Sequence, residues 1–301
     1  ATSVALQMPR GNLEIVSPKA LVLPATACAL RAKRYADAYA LASKQRVDLN
    51  LIVDYGWPTF LSDADAFVAD VRSADAVMEL LEALDDGDVT APGAAYAELA
   101  RLYPPPAPDA SEKDAAAAAP PPDRKDKVQT VGAAIRRAIE KRGTSSDRWE
   151  LATLTSYASG ENPDLGSALR RVAAARQKEL DGASSDASSP TSGGVDAAAA
   201  LKHLLFLVGG KTLYSAALGT YDLSLAYLVA QHAQMDPGEY VAELQNLQNM
   251  REHERRADIA RRLGKYEEAI VEYMLDADVD RAAAVAAEHK LFPRALAEAA
   301  R

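Results

Sequence analysis

The stretch Leu218-Gly-Thr-Tyr-Asp-Leu-Ser-Leu-Ala-Tyr-Leu-Val-Ala-Gln-His-Ala-Gln-Met-Asp-Pro-Gly-Glu-Tyr240 reads as a helix, a stop and a second helix. Tyr221, Leu225, Leu228 and His232 fall at i, i+4, i+7 and i+11, and Leu223, Tyr227 and Ala230 make a second apolar stripe. A helix that is apolar on two faces packs between neighbours. Asp236 is placed to cap the next helix. Pro237 suits its first position, where no amide hydrogen is needed, and Glu239 fits the carboxylate of a capping box. Tyr240, Leu244 and Leu247 then lie on one side, against Glu243, Gln245 and Asn249. The stretch predicts a helical hairpin with one inner and one more exposed member.

The pattern returns along the chain. Leu218-Gly219-Thr220-Tyr221 is echoed by Leu263-Gly264-Lys265-Tyr266, and Tyr266-Glu-Glu-Ala269 by Phe292-Pro-Arg-Ala295, while Tyr35-Ala-Asp-Ala38 repeats the aromatic-x-x-Ala signature near the front. A ring fills the groove and the small residue three positions on lets a partner helix approach, which is the packing logic of tetratricopeptide-like repeats. The spacings are uneven. They predict an all-α fold, an α-solenoid of degenerate helical hairpins with two low-complexity inserts.

Bulk composition agrees. The 301 residues are rich in Ala and only 6% aromatic, which suits close helix packing and disfavours a strand-rich fold. A single cysteine, Cys28, excludes a disulfide framework or a thiolate metal site within the chain and fits a reducing compartment. The net charge of −9 argues against a primary nucleic-acid surface. The longest apolar run, Ala197 to Val208, is short and broken by Lys202 and His203, so no membrane span is expected. Both ends read as cuts through a longer protein.

In order, residues 1–16 form a lead-in with a turn at Pro9-Arg10-Gly11-Asn12, and residues 17–103 a first helical-repeat block. In that block Pro24 is expected to kink or split a helix begun at Ser17-Pro18. Val47 to Asp54 reads as a short helix. Phe60, Ala64, Phe67, Val68 and Val71 read as one amphipathic helix, and Val77, Leu80, Leu81 and Leu84 as another, ended by Asp85-Asp-Gly-Asp88. Residues 104–126 are a Pro/Ala-rich linker with too little apolar surface to offset chain entropy, so disorder is expected there. A second block spans 127–180, a Ser/Gly-rich linker 181–194, and a third block, truncated at its C-terminus, 195–301.

Candidate chemistry is sparse. Gly210-Lys211-Thr212 lacks the preceding glycine and strand of a phosphate loop and reads as a helix-ending glycine pair with a solvent-facing lysine. His253-Glu254 lacks the second histidine of a zinc-protease helix, since Ala257 stands there. His203, His232 and His289 have no ligand-spaced partners. The expectation is a non-enzymatic chain with no catalytic, cofactor-binding or metal residues. Trp57, Phe60 and Tyr214 are candidate partner contacts, because aromatics are enriched at interfaces, with core packing as the alternative. The clusters Arg136, Arg137, Lys141, Arg142 and Arg255, Arg256, Arg261, Arg262 are candidates for contact with phosphate or an acidic partner. Their alternation with carboxylates fits a solvated face instead.

Met8-Pro-Arg-Gly-Asn-Leu-Glu14, Leu49-Asn-Leu-Ile52 with Asp54, Asp88-Val-Thr90, Leu151 with Leu154-Thr-Ser156, Ala200-Leu-Lys-His-Leu-Leu205, Leu218-Gly-Thr-Tyr-Asp222 and Asp236-Pro-Gly-Glu-Tyr240 follow one another in this order. In that order they resemble the largest scaffolding subunit of the Elongator complex, over nearly the whole chain outside the two linkers. The resemblance implies a central segment of a helical solenoid that follows two β-propellers, Met8–Glu14 being the join. Homodimerisation and a basic tRNA-interacting region would lie further toward the C-terminus, outside this segment. It implies a cytoplasmic protein with a possible nuclear pool. Its partners would be the other Elongator subunits, namely the catalytic radical-SAM/acetyltransferase subunit and a propeller subunit, working on tRNA wobble uridines. Cofactors belong to the catalytic subunit, and none is expected here. Two alternatives remain: a module binding tRNA directly through its arginine clusters, and a trafficking-coat-type solenoid.

Overall fold

A computed structural model describes residues 2–105, 124–143, 146–183 and 196–292, which fall into two compact units, one ending at Pro163 and one beginning at Asp164. Most of both linkers, and with it the expectation of disorder, lies outside these residues.

The first unit opens with an antiparallel hairpin, β1 (Val4–Gln7) and β2 (Leu13–Val16), in the register Val4 opposite Val16 and Gln7 opposite Leu13. Its turn closes where the Met8 carbonyl accepts the Gly11 amide and Gly11 takes φ 87°, a region open to glycine without strain. The lead-in is therefore a β-ribbon, which composition had given no reason to expect.

Seven helices follow before the first linker: α1 (Lys19–Arg31), α2 (Tyr35–Lys44), α3 (Asn50–Asp54), α4 (Trp57–Ser62), α5 (Ala64–Val71), α6 (Ala74–Ala83) and α7 (Ala97–Leu102). The last residues of that linker, Arg124–Asp126, form a 3₁₀ turn, and α8 (Lys127–Arg142) and α9 (Asp147–Ala158) follow. Pro24 does not split α1. The amide it lacks would have met the carbonyl of Ala20, a first-turn residue on the exposed face, so the missing bond falls where solvent can reach it. The single helix expected from Phe60 to Val71 is in fact two, broken at Asp63, whose carboxylate accepts the Tyr35 hydroxyl at 3.1 Å and pairs with Lys33 at 2.8 Å. Tyr35, Phe60 and Phe67 pack edge-on or tilted with centroids 5.3–6.1 Å apart, and Val77, Leu80 and Leu81 complete a core around them.

Helices α8 and α9 meet at Gly132, where a Cβ would lie 2.8 Å from the Ser156 carbonyl oxygen. Arg136 locks the same contact, donating to that oxygen at 2.8 Å with its guanidinium 4.1 Å from the Tyr157 ring centroid. Overpacking against backbone outweighs the helix-propensity gain of alanine. Gly132→Ala is thus expected to lower stability by about 1–2 kcal/mol, read as a reduced urea midpoint with unchanged slope.

The second unit holds α10 (Leu165–Ala183), α11 (Ala197–Val208), α12 (Gly210–Leu218), α13 (Leu223–His232), α14 (Pro237–Asn249), α15 (Glu252–Arg262), α16 (Tyr266–Leu275) and α17 (Val279–His289). In α13 the buried face is Leu225, Ala226, Val229 and Ala230, and Tyr227 of the expected second stripe is exposed. Asp236 caps α14 by accepting the Gly238 amide at 2.9 Å, while the Glu239 side chain makes no return bond among the described residues.

The repeat is carried by turns more than by aromatics. Six helix ends close with a Schellman-type bond, from the amides of Arg34, Val47, Met235, Lys265, Asp278 and Leu291 to the carbonyls of Ala29, Ala42, Ala230, Ala260, Tyr273 and Ala286. The residue before each amide is left-handed: Lys33, Arg46, Gln234, Gly264, Ala277 and Lys290. Five of the six accepting residues are buried alanines, small where the chain doubles back. The echo between Leu218-Gly219 and Leu263-Gly264 is only alphabetic: Gly264 has φ 73°, whereas Gly219 is right-handed and Tyr221 takes the left-handed position. A non-glycine left-handed residue stores roughly 1 kcal/mol. Gln234→Gly should therefore raise the unfolding free energy by about 0.5–1 kcal/mol and Gly264→Ala lower it by a similar amount, measured by denaturant titration.

Candidate functional site

Helical spacing puts Asn50 and Asp54 one turn apart on α3, both buried. The loop from Asp85 to Thr90 folds over them through its own short bonds. The Gly87 amide donates to Asp85 at 2.8 Å, the Thr90 amide to Asp88 at 2.9 Å, and the Val89 amide to Asp54 at 3.0 Å. Into this nest comes Lys127, the first residue of α8 and fully buried. Its Nζ donates to Asn50 Oδ1 at 2.9 Å, to both Asp54 oxygens at 3.2 Å, and to the Gly87 carbonyl. Arg124 pairs with Asp88, lies 3.7 Å from Asp54 Oδ1, and sits 5.7 Å from the centre of the Trp57 ring. The Val128 amide donates to Asp86 at 3.1 Å.

Burial pushes the Asp54 carboxyl above its ordinary pKa, with the Val89 amide and Lys127 acting against that rise. Burial would raise Asp88 too, but bonds from Thr90 and Arg124 together hold it below its ordinary value. With every lysine proton directed at an acceptor, the arrangement is a clamp. Two motifs of the ordered set, Leu49–Asp54 and Asp88–Thr90, are joined by the Val89 amide on Asp54, and Lys127, which sequence reasoning passed over, ties the first of them to the Gly87 carbonyl just before the second. The one available signal was an aspartate-rich loop in need of a counter-cation, and nothing local says which cation answers.

The other candidates are dispersed. Trp57 and Phe60 are core residues of the first unit, and Tyr214 is 6% exposed in the second. The Tyr214 hydroxyl donates to Glu243 at 2.7 Å, and burial followed by that carboxylate pushes its pKa up. All three are buried within their own unit, in line with the core-packing alternative. Among the basic candidates, Arg136 is committed to Ser156, Lys141 pairs with Asp65, Arg137 donates to the Ala133 carbonyl at 3.3 Å, and Arg142 is exposed at the end of α8. In the second unit Arg256 pairs with Glu252 at 2.7 Å, Arg261 with Asp258 at 3.0 Å, and Arg262 with both Asp258 and Glu243. Arg255 has a buried Nε without a hydrogen-bond partner. These side chains form acid–base ladders along helices more than an open cationic patch.

His253 Nδ1 lies 2.8 Å from Glu272, and His289 stacks on Tyr266. Among the described residues no group of three or more His, Cys, Asp or Glu could hold a metal ion, and no helix is long and apolar enough to cross a membrane. Gly209 (φ 79°) separates α11 from α12, and a Cβ on Gly210 would lie 2.9 Å from that of Ala233. The glycine pair thus serves a tight helix approach, not a phosphate.

Helical hairpins with buried small residues at their turns, internal ion pairs and a closed polar clamp define a helical-repeat protein, an α-solenoid segment. A family model described as "ELP1 alpha-solenoid" matches residues 19–247, and the chain belongs to that family. By that membership it is a solenoid segment and not an enzyme. It is similar to Elongator complex protein 1 of Arabidopsis thaliana, 36% identical over 89% of this chain and 19% of the relative. A putative elongator complex protein 1 of Xenopus laevis is 34% identical over 89% of this chain and 21% of the relative. The Schizosaccharomyces pombe Elongator complex protein 1 is 31% identical over 98% of this chain and 21% of the relative. The chain spans about a fifth of the length of these relatives.

Proposed function

We propose that this segment is a non-catalytic part of an Elongator scaffold, holding the catalytic and propeller subunits during C5 modification of tRNA wobble uridines. The observation that carries the reading is the family match over residues 19–247. The physics agrees with it: within each unit, hairpins fixed by turn bonds and cross-helix ion pairs give an ordered surface on which a partner can be held. Cofactors and chemistry would belong to another subunit. Homodimerisation would lie outside this segment, and tRNA would be touched indirectly or weakly, in the cytoplasm with a nuclear pool.

The test is co-purification of the full-length protein with the catalytic and the propeller subunit separately, with labelled tRNA titrated at low and moderate salt. Retention of either subunit by contacts that map to this segment is expected. Failure to retain both, with tRNA binding that falls steeply with salt and is lost on substituting Arg137 and Arg142, would replace the scaffold reading with direct tRNA binding.

A further inference from the structure

Helix α11 directs Ala199, Lys202 and Phe206 outward at i, i+3 and i+7. Phe206 is 83% exposed, on a helix whose opposite face (Ala197, Ala200, Leu201, Leu204) is buried. Lys211 follows, exposed, just past the Gly209–Gly210 corner. Neither Lys202 nor Lys211 forms an ion pair among the described residues, whereas Arg251, Arg256, Arg261, Arg262 and Arg281 of the same unit are all paired with carboxylates. A phenyl ring held out in water costs solvation free energy, and the exposed lysines, one a turn before it on the same helix face and one past the corner, favour a negatively charged rim on whatever covers it.

We propose that Phe206, with Lys202 and Lys211, forms a docking point for a protein partner bearing an apolar slot rimmed by carboxylates. This rests on the scaffold reading and gives it a location. Aromatic rings, Phe among them, are enriched at the buried centre of interfaces, and rim charges steer the partner onto them. One ring and two lysines do not make the tracking cationic groove that single-stranded nucleic acid needs, and the net charge of −9 opposes it further.

The full-length protein carrying Phe206→Ala, and separately Lys202→Glu with Lys211→Glu, is titrated with each of the other Elongator subunits purified singly, at two salt concentrations. Self-association is followed by sedimentation and tRNA binding is measured in parallel. One subunit is expected to bind Phe206→Ala at least roughly thirtyfold more weakly than wild type. The double charge reversal should weaken the same subunit and flatten its salt dependence, with melting temperatures unchanged in both variants. Binding of every subunit left unchanged by both variants overturns this proposal alone. So does an effect confined to self-association or to tRNA. A wild type that binds no subunit overturns the scaffold reading along with it. If Phe206→Ala melts early, the charge reversal, which touches only exposed side chains, decides.

Discussion

Replacing Lys127 with Met should lower the unfolding free energy of the first unit by about 3–5 kcal/mol, because an aspartate with no exposed side-chain surface then loses the one cation hydrogen-bonded to it and keeps only Arg124, 3.7 Å away. Asn50 and the Gly87 carbonyl lose a donor at the same time. Methionine matches the aliphatic stem, so the loss reads the ammonium more than packing. Adding Asp54→Asn should recover part of the deficit, since a neutral amide can still accept the Val89 amide and carries no charge to strand. The pH dependence gives a second signature. Asp54 already has a raised pKa in the folded protein, so its contribution to stability is fullest below its unfolded pKa and is lost as pH rises through the folded one. Without Lys127 that folded pKa climbs further. The gap between variant and wild type is thus expected to be wide at neutral pH and to close as pH falls through the variant's Asp54 pKa, in urea titrations across pH.

Phe67→Ala should cost about 3–5 kcal/mol, by deleting the ring that touches both Tyr35 and Phe60. Phe67 is a fully buried residue of α5 that meets Tyr35 of α2 and Phe60 of α4, so removing its ring opens a cavity where the three helices join. Phe67→Leu keeps most of the volume and should cost less than half as much. The denaturant midpoint and the near-ultraviolet dichroism of the neighbouring tyrosine check both. Equal losses from Ala and Leu would show that ring geometry, not filled volume, holds this core together.

Helix existence was legible where apolar spacing was long and regular. Val77, Leu80 and Leu81 are buried on α6, and Val128, Val131, Ile135 and Ile139 on α8. The cap at Asp236 follows from residue type, since a short acceptor side chain reaches the free amides of a first turn. Breaks were less legible. Asp63 ends one helix and starts the next because Tyr35 and Lys33, distant in sequence, hold its carboxylate. The exposed β-ribbon of residues 4–16 has too few alternating positions to announce itself.

The candidate surface was the least legible of all. Trp57, Phe60 and Tyr214 were aromatic and so equally suited to core or interface, and burial decided among them. The arginine clusters read as a solvated face of alternating charge, and neighbouring helices add Glu243 and Glu272 to the Asp258 that the second cluster carries on its own helix. Phe206 gave the reverse case: an apolar run predicts a buried ring, and the rotation of α11 exposes it.

By itself, the sequence determined a mainly helical repeat chain, the cap at Asp236, and, through motifs in order, its family. Those properties depend on residue type and on spacings within a turn or two of helix. Only the tertiary structure decided that Lys127 clamps Asp54 across 73 positions, that Gly132 and Ser156 set a helix contact, and that buried alanines mark six similar turns in five cases. These depend on which distant groups share a low-dielectric interior, where a charge must find its partner. Composition and periodicity do not encode that choice locally.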